Sequence, residues 1–293
     1  MLNRLLVTGA AGGVGQAIRP HLSRLARQVR LSDIADLGDA ADHEELVSCE
    51  LSDAQAVARL VDGCDGVVHL GGISVEKPWE GILQANIIGV YNLYEAARRQ
   101  GRPRIVFASS NHTIGYYERA THIDTRVPHR PDSLYGVSKC FGEDLASLYF
   151  DKFAIETLSV RIGSCFPRPK DTRMLATWLG TEDFVALLER AFQAPRLGHT
   201  VIYGVSDNDE RWWDNRHAQF LGWVPQESSS PWRGEVEAQA RQSPQDPQDP
   251  AVVRQGGSSS PWGIPTTKHE PVAARSNWYA DGLEGHTALA ASE

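Results

Sequence analysis

The chain has 293 residues, of which 41% are hydrophobic, and it carries a formal net charge of −8 at pH 7. This length and composition suit one globular α/β domain with a smaller appended portion. Lysine and arginine are dispersed along the chain and form no basic patch, which argues against nucleic-acid binding. No apolar run approaches the ~18 residues that a transmembrane helix needs, so we expect no membrane role.

The four cysteines are scattered along the sequence, at positions 49, 64, 140 and 165. They form no C-x-x-C pair, and no cysteine–histidine spacing resembles a zinc site, so we expect no bound metal. Isolated thiols fit a reducing compartment, and no apolar signal segment precedes the first predicted strand. These features predict a cytoplasmic location.

Short apolar runs alternate with helical patterns over most of the chain. The predicted strands cover residues 5–8, 29–31, 46–49, 67–70, 104–109, 158–162 and 201–203. The predicted helices cover residues 16–25, 54–61, 82–99, 134–149, 181–192 and 213–221. Buried parallel strands read as continuous apolar runs, and their alternation with helices is typical of a doubly wound parallel sheet. The sequence therefore predicts an α/β, Rossmann-like fold.

Composition divides the chain into three parts. Residues 1–165 are predicted to form the main Rossmann-like domain, and residues 166–240 a small portion packed on it. Beyond Pro225 the sequence is rich in Ser, Pro, Gln, Gly and Asp, and its prolines remove backbone donors that a helix needs. We therefore expect residues 241–293 to form a mobile tail.

A glycine-rich turn joins the first predicted strand to the first predicted helix. Gly9, Gly12 and Gly15 form the pattern G-x-x-G-x-x-G. The first glycine allows a tight turn, the second allows close approach of a pyrophosphate, and the third lets the helix pack on the strand. The free N–H groups and the dipole of the helix N-terminus then favour phosphate binding. The pattern predicts a dinucleotide site.

Asp33 ends the second predicted strand, where the ribose next to adenine would lie. A carboxylate at this place accepts hydrogen bonds from the ribose hydroxyls and repels a 2′-phosphate. Asp33 therefore favours NAD over NADP.

Tyr135 and Lys139 lie four residues apart at the start of a predicted helix, which places both side chains on one face. A lysine ammonium beside a phenol stabilises the phenolate, so we expect the pKa of Tyr135 to fall from about 10 toward neutral pH. Such a tyrosine can accept a proton from an alcohol or sugar hydroxyl. The motif is weak alone, but with the dinucleotide turn it predicts a redox enzyme.

Ser110 follows the fifth predicted strand, and Asn111 and His112 come directly after it. Ligands bind at the carboxyl ends of strands in doubly wound sheets. We therefore expect Ser110 to hold the reacting oxygen beside Tyr135, with Asn111 and His112 as ligands of sugar hydroxyls.

Together, the glycine turn, Ser110 and the Tyr-x-x-x-Lys motif resemble the extended short-chain dehydrogenase/reductase family. Asn86 matches the helix asparagine that ties the active-site backbone in place in that family. Residues 69–78, 109–117, 161–165, 173–178 and 212–215 resemble its NAD-dependent uronate dehydrogenase branch. The resemblance covers about residues 4 to 225 and departs at Glu50, where aspartate is usual.

The resemblance implies that the chain oxidises the anomeric carbon of a hexuronate, such as glucuronate or galacturonate, to an aldarolactone with NAD, and that it is a homo-oligomer. Residues 1–165 would bind NAD and residues 166–240 the substrate. The implied catalytic residues are Ser110, Tyr135 and Lys139. The implied NAD-binding residues are Gly9, Gly12, Gly13, Val14, Gly15, Asp33, Ile34, Glu50, Leu51, Leu70, Gly71, Gly72, Tyr135, Lys139 and Ile162. The implied substrate-binding residues are Ser74, Ser110, Asn111, His112, Tyr135, Ser164 and Arg173.

Arg173 is the expected partner of the substrate carboxylate, because its planar guanidinium can bind two carboxylate oxygens at once. Neutral sugars offer no such group. A surface arginine without this role is the alternative that the residue type alone would favour.

Two other functions remain open. A sugar-nucleotide epimerase or dehydratase would share the fold and the Tyr–Lys pair, although the region after the sixth strand is short for a lobe that grips a nucleotide. A non-catalytic dinucleotide-binding sensor would not need all of Ser110, Tyr135 and Lys139. A hydrolase has no support, because residues 163–165 do not form a G-x-S-x-G elbow.

Overall fold

In this computed structural model the described residues are 1–242 and 246–257. Nine strands are assigned there: β1 (Leu2–Thr8), β2 (Ala26–Asp33), β3 (Glu44–Ser48), β4 (Gly66–His69), β5 (Arg104–Ser110), β6 (Ile123–Asp124), β7 (Thr157–Ile162), β8 (His199–Gly204) and β9 (Trp213–Asp214). Seven form a parallel sheet in the order β3-β2-β1-β4-β5-β7-β8, and β6 pairs with β9 beside it. The predicted doubly wound parallel sheet is confirmed.

Helices cover both faces of the sheet. They are α1 (Gly13–Ile18), α2 (Ala54–Val61), α3 (Trp79–Ile82), α4 (Gly89–Arg99), α5 (Leu134–Phe153), α6 (Met174–Thr177), α7 (Thr181–Gln193), α8 (Arg233–Gln242) and α9 (Pro250–Val253). One apolar core lies under α1 and α7, and a second lies under α2, α4 and α5. Over the described part of the chain, no helix has the length and apolarity that crossing a bilayer requires.

Two predicted helices contain non-α turns. The helix predicted at residues 16–25 changes to 3₁₀ geometry over Arg19–Arg24, because Pro20 has no N–H to donate to the preceding turn. The helix predicted at residues 82–99 begins earlier, at Trp79, and contains a π turn over Leu83–Ile88. Wider turns of this kind are frequent at functional sites, and this one carries Asn86.

The helix predicted at residues 213–221 is wrong. Trp213 belongs to β9 and pairs with Ile123, and only Arg216–Leu221 forms a 3₁₀ turn. Asn215, between β9 and this turn, explains why no helix forms. Its amide accepts from the Tyr203 N–H at 2.8 Å and donates to the Tyr203 carbonyl at 2.9 Å. This side chain replaces a neighbouring strand at the edge of β8, and the chain is extended there.

Residues 246–257 also differ from the sequence prediction, which placed them in a mobile tail. They contain α9, and Gln255 behind it is completely buried. Composition alone gives no sign of this, because the packing depends on partners in residues 117–121 and on Trp213. The rest of the predicted tail lies outside the described residues.

A buried carboxylate fastens α5 to the sheet. Glu143 accepts from Ser109 Oγ of β5 at 2.5 Å and from Arg161 Nε and Nη2 of β7 at 2.9 and 2.8 Å. His129 Nε2 contacts the same carboxylate at 2.8 Å. Burial alone would raise the pKa of Glu143, but the hydrogen bonds from His129 and Arg161 hold it well below its ordinary value. The helix that carries Tyr135 is therefore fixed to two strands.

Candidate active site

The dinucleotide turn lies where β1 and β4 end side by side. Gly9 has φ +70°, and a Cβ there would lie 2.6 Å from the Gly71 nitrogen and from the Leu70 carbonyl carbon. Only glycine fits this turn without displacing the neighbouring strand end. Gly12 then precedes α1, which Gly13 begins, so the helix N-terminus follows the glycine turn directly. Val14 and Gly15 lie in its first turn.

The carboxylate of Asp33 at the end of β2 is held in place by main-chain donors. Oδ2 accepts from the Ala11 N–H at 3.0 Å and Oδ1 from the Ala35 N–H at 3.1 Å. Beside it the Ile34 side chain is 70% exposed, an open apolar surface at the edge of the predicted adenine site. Asp33 therefore ends β2, as the sequence predicted, and also lies against the glycine turn.

The other predicted NAD-binding residues follow neighbouring strands. Leu51 packs against Gly71, since a Cβ on that glycine would lie 2.9 Å from Leu51 Cδ1. Glu50 is exposed and accepts from Ser52 Oγ at 3.4 Å. Gly72 adopts φ +122° beside the Asn86 amide, and Ile162 ends β7.

Tyr135 and Lys139 lie on one face of α5, and both are buried. Lys139 Nζ is 5.7 Å from the centre of the Tyr135 ring and 5.1 Å from that of Phe107. Burial raises the pKa of Tyr135 to about 12, against a lowering by its hydrogen bond with Ser110, and burial lowers the pKa of Lys139 to about 8. The predicted fall in the Tyr135 pKa is therefore not found. The two side chains share a helix face as predicted, but desolvation of the phenol is the largest effect on its pKa.

Two side chains hold the start of α5 and the loop that follows β4. The Glu76 carboxylate accepts from the N–H groups of Leu134 and Tyr135 at 3.1 and 2.9 Å. Asn86 accepts from the Ile73 N–H at 2.7 Å and donates to the Ile73 carbonyl and to Ser138 Oγ, both at 2.9 Å. Asn86 thus ties the backbone at Ile73 to a side chain of α5, and the resemblance implied that it holds the active-site backbone. The role of Glu76 was not predicted, because nothing in the sequence around a loop glutamate indicates that it caps a helix that begins almost 60 residues later.

His112 lies beside Tyr135, with ring centres 5.6 Å apart in an edge-on arrangement. Its Nδ1 is 3.0 Å from both carboxylate oxygens of Asp132, whose side chain is fully buried. With Nδ1 donating to this carboxylate, Nε2 is an acceptor for a ligand hydroxyl. Asp132 is a second residue that the sequence did not single out.

Arg173 reaches the same cleft from the segment before α6. Its Nη1 donates to Ser164 Oγ at 3.3 Å, and its Nη2 donates to the Asn111 side-chain oxygen at 2.5 Å when that amide is oriented so that its nitrogen donates to the Ile162 carbonyl. Its Nε donates to the Gln255 carbonyl at 2.8 Å. Burial lowers the pKa of Arg173 to about 10. All the hydrogen-bond partners that the described residues give this cation are neutral.

Ser110 and His112 thus contact Tyr135, while Arg173 is bonded to Ser164 and Asn111. Ser74 lies in the exposed loop before Glu76, and no hydrogen bond in the described residues joins it to these side chains. A cavity of about 430 Å³ is lined by residues including Trp212 and Trp213, but by none of the predicted site residues. Within the described ranges no group of three or more His, Cys, Asp or Glu side chains is arranged to hold a metal ion.

Comparison with known proteins assigns the chain to a family. The model of the NAD dependent epimerase/dehydratase family matches residues 5–181, and the chain belongs to that family. The uronate dehydrogenase of Agrobacterium fabrum is 57% identical over 257 residues, which cover 88% of this chain and 96% of the relative.

Two solved structures are similar over the same extent. Glucuronic acid dehydrogenase from Chromohalobacter salexigens is 70% identical, with a TM-score of 0.89, over 90% of this chain and 99% of that one. A tyrosine-to-alanine mutant of uronate dehydrogenase from Agrobacterium tumefaciens, complexed with NAD, is 56% identical, with a TM-score of 0.86, over 88% and 97% of the two chains. The resemblance seen in the sequence is confirmed.

Proposed function

We propose that the chain is an NAD-dependent dehydrogenase that oxidises the anomeric carbon of a hexuronate to an aldarolactone. The observation that carries this proposal is Arg173, a partly buried cation whose partners are a carbonyl, a hydroxyl and an amide. Asp171 and Asp132 lie near enough to raise its pKa, but neither is among its hydrogen-bond partners, and a cation removed from water without a bonded carboxylate favours an anionic ligand. Asn111, which follows Ser110 directly in the chain, accepts from this cation, and this contact supports an anion site near the predicted base.

The residues present fit NAD. The glycine turn brings the start of α1 and the end of β4 together with no side chain between them, and Asp33 lies at the predicted ribose position. Gly13 offers open space where a pyrophosphate would approach. When bound, NAD supplies the hydride acceptor and the positive charge of its oxidised ring. The structure of a similar enzyme complexed with NAD supports the same cofactor here.

In the proposed reaction Tyr135 accepts the proton of the anomeric hydroxyl, and Ser110 donates a hydrogen bond to that oxygen. Because burial sets the pKa of Tyr135 at about 12, proton transfer at neutral pH requires positive charge near the phenol. Lys139 supplies one such charge when protonated. General base catalysis of this kind contributes roughly 10²–10⁴-fold, and positioning by Arg173, Asn111 and His112 contributes further.

The experiment is a panel of glucuronate, galacturonate, glucose and galactose, each with NAD and with NADP, followed by absorbance of the reduced cofactor. We expect turnover of the two acids with NAD, and much less with neutral sugars or NADP, because the carboxylate pairs with Arg173 and Asp33 repels a 2′-phosphate. Equal turnover of acids and neutral sugars would contradict the proposal. Isomerisation of a sugar nucleotide with no net NADH would identify an epimerase instead.

We also propose that residues 1–165 carry the NAD site, that residues 166–240 contribute to the substrate site, and that the chain forms a homo-oligomer through α4 and α5. Tyr91, Val137 and Leu148 support the last point, since these apolar side chains on the two helices are 44–49% exposed. Sedimentation of the purified protein would test it, and a monomer at micromolar concentration would contradict it.

A further inference from the structure

The segment after α9 reaches the proposed substrate cleft. The Arg119 N–H donates to the Val253 carbonyl at 2.9 Å, and the Gly256 N–H donates to the Gly115 carbonyl at 2.9 Å. These bonds lay residues 255–257 (Gln-Gly-Gly) along the loop that follows Ser110 and His112. The proline-rich part of the sequence therefore supplies one wall of the cleft.

Gln255 fixes this segment in position. It is fully buried, and its side-chain Oε1 accepts from Trp213 Nε1 at 2.8 Å. Its Nε2 donates to the carbonyls of Glu118 and Thr121, both at 3.0 Å, and its main-chain N–H donates to the Tyr117 carbonyl at 2.8 Å. A buried amide with every hydrogen-bonding group satisfied specifies a single backbone position.

That position places the Gln255 carbonyl against Arg173 Nε at 2.8 Å. A guanidinium has five N–H groups, and Gln255, Ser164 and Asn111 take one each. Counting these bonds leaves one N–H on each terminal nitrogen. Two parallel donors are what a carboxylate binds best, and the neutral carbonyl orients the cation without cancelling its charge.

The two glycines of the segment allow its close approach. A Cβ at Gly256 would lie 1.6 Å from Asp132 Oδ2, and a Cβ at Gly257, which has φ +67°, would lie 2.8 Å from Arg173 Cδ. Both neighbours belong to the proposed substrate site, since Asp132 holds His112. Larger residues here would displace either the wall or the two groups that face the ligand.

We propose that Gln255 is a positioning residue for hexuronate recognition: it holds its own carbonyl on Arg173, so that the free end of the guanidinium faces the substrate carboxylate. This inference rests on the proposed function of the cleft and adds to it a specificity element from the C-terminal part of the chain.

The test is Gln255→Ala in the full-length protein, with Gln248→Ala as the matched control, since Gln248 is an exposed glutamine of the same segment. We expect Gln255→Ala to raise the KM for glucuronate about tenfold with kcat changed by less than about threefold, because ground-state and transition-state binding of the carboxylate weaken together. The dissociation constant of NAD stays within about twofold of the wild-type value. The preference for glucuronate over glucose falls by the same factor as the KM for glucuronate rises.

A double-mutant cycle separates positioning from a general structural role. In an Arg173→Ala background, Gln255→Ala should lower kcat/KM for glucuronate by less than about twofold, because its effect passes through the missing guanidinium. If Gln255→Ala does not give folded protein, Trp213→Phe replaces it in the same cycle, since it removes the N–H donor to Gln255 and keeps an aromatic ring against Tyr203.

The outcomes distinguish the two proposals. A wild-type protein that does not oxidise hexuronates overturns the proposed function. If the wild type is active, two results overturn the positioning role alone. In one, Gln255→Ala keeps the KM and the sugar preference; in the other, it lowers kcat/KM by the same factor with and without Arg173. A selective rise in KM that vanishes in the Arg173→Ala background supports it.

Discussion

The cofactor side and the substrate side of the cleft are built in different ways. The cofactor side is shaped mainly by main chain: Gly9 touches the backbone after β4, and the Asp33 carboxylate is bound by two backbone N–H groups. On the substrate side, Arg173 donates hydrogen bonds to the side chains of Asn111 and Ser164 and to the carbonyl of Gln255. These partners come from distant parts of the chain. A short motif therefore specifies the first region, whereas the second depends on how the whole chain folds.

The largest expected effect comes from Tyr135→Phe, which removes the proton acceptor where the two regions meet. We expect kcat to fall about 10³-fold, because general base catalysis is lost while the ring still packs against His112. Steady-state NADH formation measures kcat, and titration of NAD provides the control, since its dissociation constant should change little. Near-normal turnover would rule out Tyr135 as the base.

On the substrate side, Arg173→Ala should lower kcat/KM for glucuronate about 100-fold, because one charge-assisted pair of hydrogen bonds is lost. Oxidation of glucose and binding of NAD should be nearly unaffected. The matched control is Arg168→Ala, which removes an exposed arginine that pairs with Glu235. An equal loss for glucuronate and glucose would show that Arg173 supports the fold and does not read the carboxylate.

On the cofactor side, Gly9→Ala should weaken NAD binding by at least about tenfold, because the new Cβ clashes with the Gly71 backbone and the residue has a positive φ. Gly38→Ala is the control, since Gly38 also has a positive φ, +66°, but has open space where the Cβ would be placed. Fluorescence titration measures both. A full-affinity Gly9→Ala variant would refute the tight-turn interpretation.

The last expected effect is on stability and not on activity, and it concerns the pH dependence of unfolding. Burial lowers the pKa of Lys139 from 10.5 to about 8, so between these values the unfolded chain binds more protons at this site than the folded chain. The contribution of Lys139 to the free energy of unfolding therefore rises with pH across that window. Relative to Lys139→Met, the wild type should gain roughly 2 kcal/mol between pH 8 and pH 10.

Urea unfolding followed by tryptophan fluorescence at several pH values measures this gain. The control is Lys152→Met, which removes an exposed lysine near the end of α5 and should leave the pH dependence unchanged. A stability difference between wild type and Lys139→Met that stays constant from pH 8 to pH 10 would show that Lys139 is solvated.

The features that sequence reasoning predicted are those set by short spacings. The glycine turn, Asp33 at the end of a strand and the four-residue spacing of Tyr135 and Lys139 depend on neighbours along the chain. Ser110 was predicted because the carboxyl ends of parallel strands share one edge of the sheet. These are the features that bring the cofactor side and the predicted base together.

What sequence reasoning missed depends on distant partners or on burial. Glu76 and Asp132 act on α5 and on His112 across long separations, and Gln255 is buried by Trp213, a residue assigned in the sequence to a helix. The pKa of Tyr135 was predicted with the wrong sign, because spacing reveals the nearby ammonium but not the loss of water around the phenol.

The way α5 is fastened has a consequence for engineering. Glu143 stands eight residues beyond Tyr135 on the same helical face, roughly 12 Å along the axis, and it is bound to Ser109 and Arg161. Because a helix transmits a tilt along its length, a loosened anchor would move the phenol, and a displacement of about 1 Å can cost on the order of 100-fold in rate. Mutant libraries intended to change turnover should therefore include Glu143 and its buried partners Ser109 and Arg161.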